Sequence, residues 1–103
     1  MRSPKLSYIL RGALLSALLI VAGCQTAPVQ EMSDARQAIT VAKEAGAAEL
    51  AADALKAAVD YLQSAEHYLN EREYKFARHD AEQAKMKALE ALQRSASGRE
   101  DIL

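Results

Sequence analysis

The only cysteine in the chain, Cys24, is the residue with the clearest chemical potential, because its thiolate can be alkylated. It follows Ala22 and Gly23, whose small side chains leave the backbone open to a peptidase. Before them comes an uncharged stretch, residues 12–21, that is too short to span a bilayer. A basic region precedes this stretch and contains Arg2, Lys5 and Arg11. The pattern predicts a signal peptide over residues 1–23, cleaved between Gly23 and Cys24.

The apolar segment ending in Ala22-Gly23-Cys24 resembles the processing site of bacterial lipoproteins. The resemblance implies a diacylglyceryl group on the Cys24 thiol and an acyl chain on its freed amine, with no other cofactor. Several acyl chains hold a protein stably on a membrane, whereas a single chain binds marginally. An Asp directly after the lipidated cysteine would resemble the signal that retains lipoproteins in the inner membrane. Here the residue after Cys24 is Gln25. We therefore expect an outer-membrane protein that faces the periplasm. The alternative is an ordinary secreted protein with one free thiol.

Composition excludes several classes of function. The basic region of the signal peptide holds three of the 13 Lys and Arg residues, which leaves 10 beside all 14 Asp and Glu residues, so the processed chain is acidic. Nucleic acid is not an expected partner of an acidic domain. The chain has no Trp and one Phe, and its single cysteine cannot form an internal disulfide. A domain this small has one modest core and little room for a buried catalytic cleft.

The polar residues do not form a recognisable catalytic or metal-binding motif. His67 and His79 are expected on the polar sides of their helices, and their spacing is not that of two metal ligands one helical turn apart. No Ser, His and Asp motif and no glycine-rich phosphate loop appears. Glu66 lies near an apolar sector, but a surface ion pair with Arg78 across a hairpin is the simpler expectation. We expect neither an enzyme nor a metal site.

The positions of proline and glycine predict where the first helix begins and ends. Gln25 to Glu31 contains Pro28 and lacks helical periodicity, which predicts a short tether. Asp34 is expected to cap the first helix together with Gln37, and Gly46 is expected to end it. The apolar stripe of this helix is thin, so it needs a partner surface; the stripe consists of Ala35, Ala38, Ile39, Ala42 and Ala45.

Two longer helices follow, with apolar residues spaced alternately by four and three. The second helix is predicted from Ala51 to Leu69 and the third from Glu73 to Arg94, with a seam made mostly of alanine. The loop between them, Asn70 to Arg72, is short enough to force an antiparallel hairpin. The sequence therefore predicts an all-α fold, a long antiparallel helical hairpin with a shorter leading helix.

Four large apolar side chains are candidates for binding a partner. Tyr61 and Tyr68 flank the predicted hairpin, while Phe76 and Met86 fall on the polar face of the third helix. Two explanations of Phe76 and Met86 stay open. The first helix packs across that side, or these residues form an exposed patch for a protein partner or for self-association.

The segment from Met32 to Ile39, followed by Ala45-Gly46-Ala47 and a helical hairpin, resembles the small bacterial lipoproteins grouped as domain of unknown function 4398. The resemblance covers Met32 to Arg94, and its motifs are caps and alanine seams, so no functional residue is transferred. The expected organisation is a signal peptide over residues 1–23, a lipidated cysteine and tether over 24–31, a helical domain over 32–95 and a flexible tail over 96–103.

The hairpin is also similar to a single tetratricopeptide-type unit, at positions Tyr61, Ala65, Tyr68, Ala77, Ala81 and Ala84. Such units usually need neighbours to complete a core. Taken together, the sequence predicts a lipid-anchored, non-enzymatic envelope protein with a structural or scaffold role. The alternatives are an adaptor whose hairpin binds an envelope enzyme or transport protein, and an oligomer that links the outer membrane to the cell wall.

Overall fold

A computed structural model describes residues 26–102, with side chains described up to residue 100. The predicted signal peptide, the cleavage site at Gly23 and the lipidation site at Cys24 lie outside the described residues. The helices are, in chain order, α1 (Val29–Glu44), α2 (Ala47–Leu50), α3 (Ala52–Asn70) and α4 (Tyr74–Ile102). Residues 26–102 contain no β-strand.

Helices α3 and α4 form an antiparallel hairpin, and α1 packs along it. Near the turn, Ser64 on α3 is hydrogen-bonded to Asp80 on α4, and at the far end Asp53 pairs with Arg94. Helix α1 runs parallel to α4 and contacts α4 more extensively than it contacts α3. The predicted all-α hairpin with a shorter leading helix is confirmed.

The contact surface of α4 is a row of small residues, which we call the alanine seam: Ala77, Ala81, Ala84, Ala88 and Ala91. Every member is completely buried, as the four-three spacing predicts. Methyl groups at these positions let neighbouring helix axes approach toward the lower end of the usual 8 to 10 Å range. Close backbone approach, rather than large side chains, therefore shapes the hairpin.

The seam continues beyond its predicted end, and the expected flexible tail over residues 96–103 is wrong where the structure describes it. Ser95 is buried and donates a hydrogen bond to the Ala91 carbonyl oxygen (2.7 Å), so its hydroxyl is satisfied within the helix. At Gly98, an added Cβ would lie 3.3 Å from Leu50 Cδ2. Ser95 and Gly98 keep the four-three spacing, and they extend α4 along α2 to Ile102.

The beginning of α1 also differs from the prediction. The helix starts at Val29, so the tether is shorter than Gln25 to Glu31, and Asp34 lies inside the helix instead of capping it. The physical reason is Met32, which is 1% exposed and packs against Ala65 and Ala81. A helical turn before Asp34 is needed to bring this side chain between α3 and α4.

Gly46 ends α1 as predicted. Its backbone has φ 90°, in the left-handed region where glycine carries no Cβ penalty. The amide of Gly46 donates to the Lys43 carbonyl, and α2 starts immediately afterwards. Arg72, in the turn between α3 and α4, is the described non-glycine residue with positive φ, at 62°.

The predicted ion pair between Glu66 and Arg78 is wrong, because each residue pairs with a different partner. Glu66 instead contacts Arg36 at 3.3 Å, and Arg78 contacts Glu31 at 3.3 Å. The new partners, Arg36 and Glu31, both lie on α1. Because α1 packs over this side of the hairpin, its side chains pair with Glu66 and Arg78 before these two can pair with each other. Exposed pairs of this kind contribute about 0 to 1 kcal/mol each.

Met32→Ala should lower the free energy of unfolding by about 2 to 4 kcal/mol, because it removes a fully buried side chain and leaves a cavity beneath α1. Chemical denaturation of the domain measures this change. Val29→Ala is the matched control, since Val29 is 69% exposed on the same helix and its truncation should change stability little. Equal effects of the two substitutions would contradict the assigned start of α1.

Ala81→Leu should lower the free energy of unfolding by about 1 to 3 kcal/mol, because a larger side chain overpacks the alanine seam. Ala96→Leu, at an exposed position of the same helix, is the control for helix propensity. Denaturation curves for the two variants test the closeness of packing. A neutral Ala81→Leu substitution would mean that the seam tolerates separation of the helices.

Candidate functional site

The aromatic candidates on the hairpin come together at the end that carries the α3–α4 turn. The ring centroids of Tyr68 and Phe76 are 5.4 Å apart with a tilt of 32°, a spacing typical of interacting aromatic rings. Phe76 remains 54% exposed. The explanation in which the first helix packs over Phe76 is therefore wrong, because α1 contacts α4 through the side that carries Arg78 and Lys85.

Tyr74, the first residue of α4, is half-buried in the same region. Three of the four aromatic residues between 26 and 102 thus fall within residues 68–76. We call the end of the hairpin formed by residues 68–76 the tip. Tyr68 and Phe76 were both predicted as candidates for binding a partner, whereas Tyr74, which is equally close to the predicted turn in the sequence, was not.

Tyr61 lies two helical turns before Tyr68 on α3 and is half-buried. It borders a shallow groove between α3 and α4, together with Ala57, Asp60, Ser64 and Asp80. This groove continues away from the tip and does not include Phe76. Tyr61 is therefore placed on a surface next to the aromatic pair rather than in it.

Met86 lies apart from the other candidates. It is 62% exposed on α4, next to the exposed Leu89, and the two side chains border a shallow depression. Phe76 and Met86 are ten residues apart, which corresponds to about 15 Å along the helix axis. The structure therefore separates the predicted patch into the aromatic tip and a second apolar surface on α4.

A serine, an aspartate and a histidine lie next to one another on the hairpin, although the sequence contains no motif that predicts this grouping. The Ser64 hydroxyl donates to Asp80 Oδ2 at 2.5 Å, and His79 Nδ1 lies 3.2 Å from Asp80 Oδ1. In a nucleophilic triad the imidazole stands between the hydroxyl and the carboxylate, so that it can take the hydroxyl proton. Here the carboxylate stands between the other two groups. The Ser64–Asp80 hydrogen bond therefore links α3 to α4, but no imidazole is placed to take the proton of the Ser64 hydroxyl.

The remaining histidine, His67, is exposed on α3 and lies 3.4 Å from Glu71 Oε1. His67 and His79 do not share a ligand set, and no group of three potential metal ligands occurs in residues 26–102. The part of the chain that the structure describes also contains no helix that is long and apolar enough to cross a membrane.

One carboxylate has an altered acidity. The Arg94 guanidinium donates a hydrogen bond to Asp53 and thereby lowers the pKa of that carboxyl below its ordinary value. A lowered carboxyl pKa stabilises the fold above the ordinary pKa, and this contribution is lost as the pH falls through the lowered value. Both groups are solvent-exposed and far from the tip, so this pair connects α3 to α4 and belongs to no candidate site.

The fold and the surface define a small all-α domain that presents exposed apolar groups on a helical hairpin. The chain belongs to the family described as Domain of unknown function (DUF4398), whose model matches residues 30–101. This match confirms the family resemblance. It also spans nearly all of α1 and α4, including residues 30–31 and 96–101, which the sequence prediction had assigned to a tether and a tail. No curated protein and no solved structure matches the chain.

Proposed function

We propose that this protein is a lipid-anchored envelope lipoprotein of the outer membrane, facing the periplasm, with a structural or scaffold role and no enzymatic activity. The observation that carries the proposal is the position of Cys24, directly after Ala22 and Gly23 and two residues before the described domain. A thiol at this place is suited to carry the diacylglyceryl group, and the new N-terminus is suited to carry the further acyl chain.

The contacts at the start of the domain support a short connection to the membrane. The carbonyl oxygen of Thr26 accepts a hydrogen bond from Arg78 Nη2 at 3.2 Å, and Pro28 is fully buried. In the sequence, only Gln25 separates Cys24 from Thr26, the first described residue. A lipid on Cys24 would keep the bundle at the membrane surface, where weak contacts benefit from a high effective concentration.

Cys24→Ser should leave an unprocessed precursor, because the hydroxyl cannot replace the thiol in lipid attachment. The wild-type protein should be extracted from membranes with the mass of residues 24–103 plus one diacylglyceryl group and one further acyl chain. Intact-protein mass spectrometry after membrane fractionation measures both. Thr26→Ala is the control, since it keeps the thiol and the Thr26 main-chain carbonyl. Recovery of wild-type protein as a water-soluble chain without lipid would contradict the proposal.

A second candidate function is that of an adaptor that binds an envelope enzyme or transport protein. The exposed pair Met86 and Leu89 favours it, because these side chains lie on α4 away from the tip and belong to neither described core cluster. Large apolar side chains of this kind are typical anchors of protein interfaces.

Photocrosslinking separates the two candidate functions. A photoreactive residue at position 86 should capture one defined protein in intact cells if the chain is an adaptor. The same residue at position 96, which is exposed on the same helix, should not capture that protein. Absence of a specific product at position 86 would count against the adaptor and leave the scaffold role.

A further inference from the structure

We propose that the tip rests on the lipid surface, with Tyr68 and Phe76 at the level of the lipid headgroups, so that the bundle stands end-on at the membrane. This inference rests on the proposed lipid anchor at Cys24. It goes beyond the anchor because it assigns a second membrane contact and an orientation to the folded domain.

The first step is the length of chain between the anchor and the fold. Cys24 and Thr26 are two residues apart, so at about 3.3 to 3.6 Å per residue their separation is at most about 7 Å. The Thr26 carbonyl is held by Arg78, which lies one helical turn after the start of α4. A lipid attached to Cys24 therefore cannot be far from this end of the bundle.

The second step is the direction of the helices. Helix α1 runs parallel to α4, as the pairs Glu31–Arg78 and Asp34–Lys85 show, so the start of α1 lies at the same end as the start of α4. The opposite end carries Gly46 and α2, which pack near Gly98. Since α4 has 29 residues, at 1.5 Å per residue the two ends are about 40 Å apart. The short connection thus brings the membrane to the tip rather than to α2.

The third step is the chemistry of the tip. Tyrosine has an apolar ring and a polar hydroxyl, and this combination is enriched where the hydrocarbon of a membrane meets water. The tip contains Tyr68 and Tyr74, and it exposes Phe76, whose ring is supported by Tyr68. The bundle seam has no position for rings of this size, because it is made of alanine. A lipid interface explains why an exposed aromatic group is placed at this end.

The charges of the tip indicate which kind of lipid contact is expected. Arg72 and Lys75 are exposed, but Glu71 and Glu73 are exposed beside them, so the tip has no strong excess of positive charge. Contact should therefore depend on the aromatic rings more than on anionic headgroups.

The experiment uses tryptophan as a depth probe, because the natural chain contains none. The full-length Phe76→Trp protein is produced in cells, checked for its lipids by mass spectrometry, and reconstituted into phosphatidylcholine vesicles with or without brominated acyl chains. Met86→Trp is the matched control, since Met86 is similarly exposed on α4 but lies away from the tip. Both positions are exposed, so both variants should keep the wild-type melting temperature.

Brominated lipid should remove most of the indole emission of the lipidated Phe76→Trp variant and little of the emission of Met86→Trp. Lipidated protein without quenching at position 76 would overturn the tip contact and leave the anchor standing. Equal quenching at the two positions would mean that the bundle lies flat on the membrane. A blue-shifted but unquenched emission at position 76 would mean that the indole is buried against a second copy of the chain. Both results would overturn the proposal. A mass without lipid would overturn the anchor itself.

Discussion

The close approach of α4 to the other helices is the constraint on which the rest of this structure depends. Each member of the alanine seam is completely buried, yet each contributes only one methyl group to the core. Apolar burial stabilises in proportion to the area removed from water, so a single alanine contributes little. Stability must come from many such contacts in succession. This requirement accounts for the length of α4 and for the continuation of the seam through Ser95 and Gly98.

Helix α1 completes this arrangement. Its small side chains lie against the hairpin, and Met32 supplies a large, fully buried side chain where the seam alone would leave a groove. The exposed ion pairs of α1 with Arg78 and Glu66 then fix its position along the hairpin without contributing much stability. A helix whose sequence stripe looked thin is therefore essential to the core.

The same constraint bears on function. A seam that admits only small residues leaves no internal place for aromatic rings, so they lie on the sides and at the tip of the hairpin. Tyr68 and Phe76 support each other there, while Met86 is left on another surface. On the side of the hairpin, Ser64 donates a hydrogen bond to Asp80, and His79 lies beside the same carboxylate. The surface is thus suited to contact, and the proposed anchor at Cys24 would lie nearer to the tip than to α2.

The sequence by itself determined the fold class, because the four-three spacing of apolar residues and the absence of proline after Pro28 favour long helices that pack along one face. It also determined the break at Gly46, since glycine tolerates the left-handed backbone that a helix end requires.

Only the tertiary structure decided the two ends of the domain and the partners of its charges. The start of α1 depends on the pocket that receives Met32, and the full length of α4 depends on its packing against Leu50; neither surface is local in sequence. The sequence predicted that Glu66 pairs with Arg78, but it pairs with Arg36, because the pairing depends on where α1 lies. Helix periodicity specifies which residues of a helix face inward. Which residues they contact is decided only when α1 packs against the α3–α4 hairpin.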